Sequence, residues 1–146
     1  RSASIVLLAA TLLPAANPEI LWDKFGVPHI FAKTTEDMFY AHGYAQMQNQ
    51  ADLLLSLYGE SRGRGAEYWG EDKLALDRWI HTNGVPARAR EWFAAQTPEF
   101  RKNIDAFARG INAHAKAHPN HVSPQYRQVL PVSGTDVVGH TLRAVH

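Results

Sequence analysis

Residues 23–32 read DKFGVPHIFA, and this stretch decides how the chain begins to fold. Gly26 can adopt positive φ, Pro28 fixes its own φ, and the residue before a proline is pushed towards extended backbone. The stretch is therefore a turn that leads into a strand, with Pro28 at a first-residue or edge position where the missing N–H does little harm. Since residues 19–23 also have strand character, the pattern predicts a β-hairpin.

Helical patterns dominate the rest of the chain. Thr34 followed by Asp37 is a helix-start signal, and apolar residues keep helical spacing from there to about Glu60. Further helices are predicted over 73–80 and 86–96, from the Thr97-Pro98 start signal to about residue 115, and from residue 135 onward. Two strands do not form a stable sheet alone, so the sequence predicts one part of a larger α+β domain.

Composition excludes several classes of protein. The chain has 146 residues, of which 45% are hydrophobic and 20% charged, with a net charge of +1. These values exclude a disordered segment and argue against a nucleic-acid binder, which normally has a clustered basic face. The single Arg-Gly-Arg-Gly run at residues 62–65 is interpreted as a solvated helix end. The chain has no cysteine, which excludes disulfides, thiolate nucleophiles and cysteine zinc motifs.

The first residues have the outline of an export signal. Arg1 precedes a nine-residue apolar run, Ile5 to Leu13, and small residues follow it. We therefore expect residues 1–16 to be the remnant of a signal peptide and residues 17–146 to be the folded portion. The alternative is a buried strand or helix, and Pro14 fits a cleavage site poorly. The run is too short to span a bilayer, so no membrane anchoring is expected after signal removal.

Side-chain patterns give no convincing catalytic set. His114 and His118 are four residues apart on a predicted helix, with His121 following, a spacing that can place two imidazoles beside a zinc ion. The chain has no H-E-x-x-H arrangement and no obvious third ligand, so a polar helix end is the preferred interpretation. No serine lies in a G-x-S-x-G elbow, and no glycine-rich loop suits a phosphate.

The segments quoted above nevertheless form part of a larger pattern. Over about residues 19–146, the chain resembles the α chain of the penicillin acylase family. The members of this family are N-terminal nucleophile amidohydrolases. The resemblance is carried by collinear segments at residues 23–32, 43–48, 63–72, 76–78, 107–113 and 136–138. The Arg-Gly-Arg and Glu-Tyr-Trp-Gly pieces look nearer to the acyl-homoserine-lactone and aculeacin-type acylases. Asn49 and Gln50 depart from the family, where many relatives carry an acidic residue and arginine.

The resemblance implies a fold and a partner. It implies that the chain is the mainly helical α-chain portion of a four-layer αββα N-terminal nucleophile hydrolase. In this family a precursor cuts itself, and the β chain from the same precursor begins with the catalytic serine, whose own α-amine serves as base. No catalytic residue is therefore expected in this chain. The expected location is periplasmic or secreted.

The resemblance also implies a site. The helix that lines the acyl pocket in the family aligns with residues 135–146, which makes Leu142 and Val145 candidate substrate-binding residues; ordinary helix packing is the alternative for both. No cofactor is required. A structural calcium ion is possible, but its α-chain ligand is not evident here, and no metal ligand is assigned.

The expected reaction is hydrolysis of the amide bond in small N-acyl compounds such as N-acyl-homoserine lactones or penicillin-type β-lactams. Two alternatives remain open. One is a non-catalytic helical binding or scaffold domain derived from an acylase. The other is a metal protein that uses His114 and His118.

Overall fold

The computed structural model describes residues 18–145, which form a β-hairpin followed by six α-helices. The predicted export signal at residues 1–16 lies outside the described residues. The elements are β1 (Glu19–Trp22), β2 (Pro28–Phe31), α1 (Thr35–Ser61), α2 (Gly65–Trp69), α3 (Leu74–Thr82), α4 (Val85–Ala95), α5 (Pro98–Ala117) and α6 (Gly134–Ala144). Short 3-10 helices lie at Glu71–Lys73, Pro119–His121 and Pro124–Val129.

The predicted hairpin is confirmed. Strands β1 and β2 pair antiparallel, with Leu21 opposite His29. The Asp23 side chain shapes the turn, because its Oδ1 accepts hydrogen bonds from the backbone N–H groups of Phe25 at 2.8 Å and Val27 at 3.0 Å. Gly26 adopts φ of 77°, which a residue with a side chain rarely adopts.

Helix α1 is the centre of the fold. Thr34 caps its first turn by accepting a hydrogen bond from the Asp37 backbone N–H at 3.1 Å, as the sequence predicts. Gln50 interrupts the helix with non-helical φ of −143°. Buried residues on several sides of α1 contact the hairpin, α5 and α6, which confirms that the helix is covered on more than one side.

Helices α1 and α5 approach each other through two glycines. A Cβ atom added at Gly43 would lie 2.0 Å from the Phe107 carbonyl oxygen, and one added at Gly110 would lie 2.0 Å from the Tyr40 carbonyl oxygen. Only a residue without a side chain allows backbones to come this close.

Two apolar clusters hold the helices together. The larger lies between α1, α5 and the segment before α6, and its fully buried members include Met47, Leu55 and Ile111. The smaller lies between α3, α4 and α6. No helix in the described range of residues 18–145 is both long enough and apolar enough to cross a membrane.

One prediction for the region after α1 was wrong. The residues at 62–65 were expected to be a solvated helix end, and this holds for the exposed Arg64 but not for Arg62, whose side chain is 19% exposed. A second difference is the helix α2 at residues 65–69, where the sequence pattern predicts no helix. A residue of α3 caps the first turn of α2. The buried carboxylate of Asp77 accepts hydrogen bonds from the backbone N–H groups of Gly65 and Ala66.

Candidate functional site

The site built around α6 starts from a capping box. The Ser133 hydroxyl and the Ser133 backbone N–H both donate to the Asp136 carboxylate at 2.8 Å. The same carboxylate receives two hydrogen bonds from Arg62, Nε to Oδ1 at 2.7 Å and Nη2 to Oδ2 at 2.9 Å. Arg62 also donates to the carbonyl oxygens of Val129 and Pro131. The guanidinium group of Arg62 therefore joins the end of α1 to the start of α6 and to residues 129–131, which lie just before α6.

The charges of this pair stabilise each other. Burial opposes the charge of the Asp136 carboxylate, but the hydrogen bonds and positive charge of Arg62 outweigh it and hold the pKa of Asp136 below its ordinary value. Burial also opposes the charge of Arg62, while the bonds to Asp136 raise its pKa. Both groups stay ionised at neutral pH.

A second set of charges holds the other end of α6. The buried Glu60 carboxylate accepts a hydrogen bond from Lys73 Nζ at 2.7 Å and another from Arg143 Nη2 at 2.6 Å. Arg143 lies in the last turn of α6, so α6 is tied to α1 at both of its ends. This double attachment sets the direction in which the α6 side chains point.

The two predicted substrate-binding residues lie in different surroundings. Leu142 is fully buried and packs with Ile80, Val85 and Ala89 in the smaller apolar cluster. Val145 follows the last residue of α6 and is 68% exposed. The structure thus does not bring the two side chains to one surface, and their role in binding an acyl group stays a prediction.

An apolar groove lies beside α6, and Leu142 is not among the residues that line it. Its volume is about 190 Å³, and α4, α5 and α6 form its walls. The half-exposed rings of Trp92 and Phe100 stand at this groove. The other lining residues are Gln96, Ile104, Val137, Val138 and Thr141. Such a groove can hold a hydrocarbon chain or an apolar side chain.

The serine hydroxyls in the described part of the chain all donate to other groups of the chain. Those of Ser56 and Ser61 donate to backbone carbonyls within α1, and those of Ser123 and Ser133 donate to aspartates. Each hydroxyl serves a turn, a cap or a helix. None of these bonds pairs a serine with a general base in the manner of an activated nucleophile.

Three histidines gather where α5 ends. The ring centroids of His114, His118 and His121 lie 4.7–5.3 Å apart, and the Tyr44 hydroxyl is 3.2 Å from Nε2 of His118. The sequence spacing anticipated the proximity of His114 and His118, and the structure adds His121. Burial, with the charges of His118 and His121, lowers the pKa of His114 to about 4.

These residues do not form a metal site as they lie. Among the described residues, no group of three or more histidine, aspartate or glutamate side chains is arranged to hold a metal ion. The alternative of a metal protein using His114 and His118 therefore gains no support. A structural calcium ion that takes a single ligand from this chain is a separate matter and stays a prediction.

The hairpin exposes two large apolar side chains on its outer face, beside the polar Glu19 and His29. Ile20 and Ile30 face the helices and are partly covered, whereas Leu21 is 50% exposed and Phe31 59% exposed on the opposite face. Phe25 in the turn is 80% exposed. The described residues form a sheet of two strands, so both edges of the ribbon have unpaired backbone groups. A surface of this kind is normally covered by another element.

Comparisons with known proteins agree with one another. A sequence profile described as penicillin amidase matches residues 17–137. Penicillin G acylase of Escherichia coli is 33% identical over 95 residues, which cover 65% of this chain and 11% of that protein. The acyl-homoserine lactone acylase PvdQ of Pseudomonas syringae pv. tomato is 29% identical over an alignment of 160 residues, covering 97% of this chain and 20% of that protein.

The fold is also shared with a solved structure. A thermostable penicillin G acylase from Alcaligenes faecalis superposes with a TM-score of 0.74 at 25% identity, covering 87% of this chain and 71% of the solved chain. The chain spans a fifth or less of the length of the curated relatives named above. The profile match over most of the sequence, together with this likeness in fold, shows that the chain belongs to the penicillin amidase family.

Proposed function

We propose that the chain is the α subunit of an exported heterodimeric acylase that hydrolyses the amide bond of N-acyl compounds. The observation that carries the proposal is the hairpin, because its two free edges and the exposed side chains of Leu21 and Phe31 need a further layer of structure. In the proposal, that layer is the sheet of a β chain from the same precursor. Adding strands to an open edge satisfies the backbone groups, and packing sheet on sheet buries Leu21 and Phe31.

The lengths of the relatives support a separate chain. The curated acylases are many times longer than the segment they share with this chain, whereas the matched chain of the solved acylase is covered to 71%. The solved chain is therefore far shorter than those relatives. This is the relation expected if a precursor is cut into a short α chain and a long β chain.

The chemistry is proposed to reside mainly on the β chain. Its N-terminal serine would attack the acyl carbonyl, and its own α-amine would take the proton. The hydrogen bonds that the described serine hydroxyls donate to backbone carbonyls and to structural aspartates support a nucleophile outside the described residues. The α chain would contribute apolar surface to the acyl pocket near α6.

Within that pocket, Leu142 and Val145 would have different tasks. Val145 is exposed and can contact an acyl group directly. Leu142 is buried, so it would act on the substrate by fixing α6 against α3 and α4. Relatives named for penicillin G and for acyl-homoserine lactones suggest both compounds as substrates to be tried.

Purification of the protein from its native host, followed by intact-mass analysis and N-terminal sequencing of every copurifying polypeptide, tests the proposal. A second, larger polypeptide that begins with serine is expected. The purified complex should release fatty acid from N-acyl-homoserine lactones or phenylacetate from penicillin G. Replacing that first serine by alanine should abolish release. A lone, stably folded and inactive chain would instead favour the non-catalytic scaffold domain.

Charge substitutions on the hairpin test the proposed contact. Phe31→Lys should weaken association with the second polypeptide, because it places a charge on the surface to be buried. Lys33→Phe, just after β2, offers a nearby change that adds apolar surface. If Phe31→Lys leaves the complex and its activity intact, the hairpin is not the contact.

A further inference from the structure

A second pocket lies against α4 and α6 and has three arginines in its lining. Its volume is about 250 Å³. Arg62 comes from the end of α1, Arg64 from the start of α2 and Arg90 from α4. Among the described residues that line it, Asp136 is the one acidic group. The pocket therefore has more positive than negative charge.

Carboxylates already engage two of the three arginines. Both oxygens of Asp136 are occupied by Arg62, at 2.7 and 2.9 Å, and by Ser133. Arg64 pairs with the exposed Glu67, which is not among the lining residues. Arg90 forms no hydrogen bond or ion pair with any residue that the structure describes.

The remaining surface of the pocket determines what could enter. Pro86, Ala89 and Gly139 give it a small apolar floor, and Thr135 lies beside Asp136 at the rim. A guanidinium group binds a carboxylate through two parallel hydrogen bonds, and Arg90 is available for this. Arg64 already binds Glu67 in this way through Nε and Nη2. Because that pair is exposed, it stabilises little, and an incoming carboxylate can replace Glu67. The apolar floor suits a short hydrocarbon chain.

We propose that this pocket binds the carboxylate of a small organic acid, with Arg90 as its ligand and with Arg64 as a second ligand that releases Glu67. The proposal is independent of the acylase assignment, because it uses none of the residues placed at the acyl site. The acid is bound as an anion, and no bond is made or broken.

Equilibrium dialysis with radiolabelled butyrate tests the proposal on the protein purified with every polypeptide that stays bound to it. One equivalent of butyrate should bind in a way that depends on Arg90. Arg90→Gln should weaken this binding about tenfold or more, since it removes a charged donor pair. Arg88→Gln is the matched control, because Arg88 is exposed on the same helix and is not among the pocket's lining residues.

Butyramide, which lacks the charge, should not compete. Butyrate that binds at an acyl site should bind equally to the wild type and to Arg90→Gln. The difference between the two proteins therefore counts only the butyrate bound in this pocket. Equal binding by the wild type and Arg90→Gln would overturn the proposal, as would an equal loss in Arg88→Gln, which would indicate attraction to a generally basic surface. The proposal also fails if butyrate does not bind and Arg90→Gln releases a bound polypeptide, because an acidic side chain would then fill the pocket.

Discussion

Arg62 and Asp136, 74 residues apart in sequence, form a two-armed ion pair that joins the end of α1 to the first turn of α6. Their side chains are 19% and 11% exposed. Removing one member of a largely buried pair leaves the other charge without its partner, which costs more than the loss of an exposed pair.

Arg62→Leu should therefore destabilise the protein by about 3 kcal/mol in denaturant unfolding. Arg64→Leu, which removes an exposed pair with Glu67, should change the free energy of unfolding by less than about 1 kcal/mol. The double variant Arg62→Leu/Asp136→Leu should lose less than the sum of its single variants, because neither charge is then left unpaired. Equal effects of Arg62→Leu and Arg64→Leu would contradict this account.

The close approach of α1 and α5 gives a second prediction. Gly43→Ala and Gly110→Ala each place a Cβ atom 2.0 Å from a carbonyl oxygen of the facing helix, so the helices must separate. We expect a loss of about 3 kcal/mol in the free energy of unfolding, or failure to fold. Thermal and urea unfolding measure it.

Gly139→Ala is the control for these variants. Gly139 lies inside α6, and a Cβ there would meet Ala89 at 3.5 Å, which is ordinary contact. Alanine favours a helix over glycine by about 0.5–1 kcal/mol, so this variant should be neutral or more stable. If all three variants lose the same stability, helix separation is not the cause.

The histidine cluster predicts a pH dependence. The pKa of His114 is about 4 in the folded protein and near its ordinary value of 6.5 when the chain unfolds. Between these values the unfolded chain binds more protons, so stability falls as the pH drops from 6.5 to 4 and is unaffected by this group above 6.5. Urea unfolding at several pH values measures the slope.

His114→Leu should flatten that slope, because the buried side chain can no longer take up a proton on unfolding. An unchanged slope in His114→Leu would assign the pH dependence to other groups, among them His42 and His140, whose pKa values burial also lowers. Circular dichroism of each variant checks that the helix content is unchanged.

Substitutions of Leu142 and Val145 should have different effects, the first on stability and the second on substrate preference. Leu142→Ala should cost about 2–5 kcal/mol in stability, because it opens a cavity in the cluster with Ile80 and Val85. Val145→Ala should leave stability almost unchanged, since the side chain is 68% exposed. In the complete acylase, Val145→Ala should shift the preference among acyl chain lengths. No shift with any acyl length would remove Val145 from the proposed acyl site.

Local signals predicted most of the secondary structure. The Asp23–Gly26 turn, the Thr34 cap and the Thr97-Pro98 start signal each act over a few residues, and each lies where the sequence places it. The order of elements and the incomplete sheet followed from these signals. The family followed from collinear motifs, since similar sequences keep similar folds.

The partners of distant residues could not be predicted in this way. The sequence alone determined a hairpin, a set of helices, their main boundaries and the family, because caps, turns and apolar periodicity are properties of neighbouring residues. Only the tertiary structure decided that Arg62 is buried against Asp136, that Asp77 caps α2 and that His121 joins His114. It also decided that Leu142 points into the core while Val145 faces outward. These relationships depend on how helices far apart in sequence pack, and packing depends on the shapes and charges of the whole chain at once.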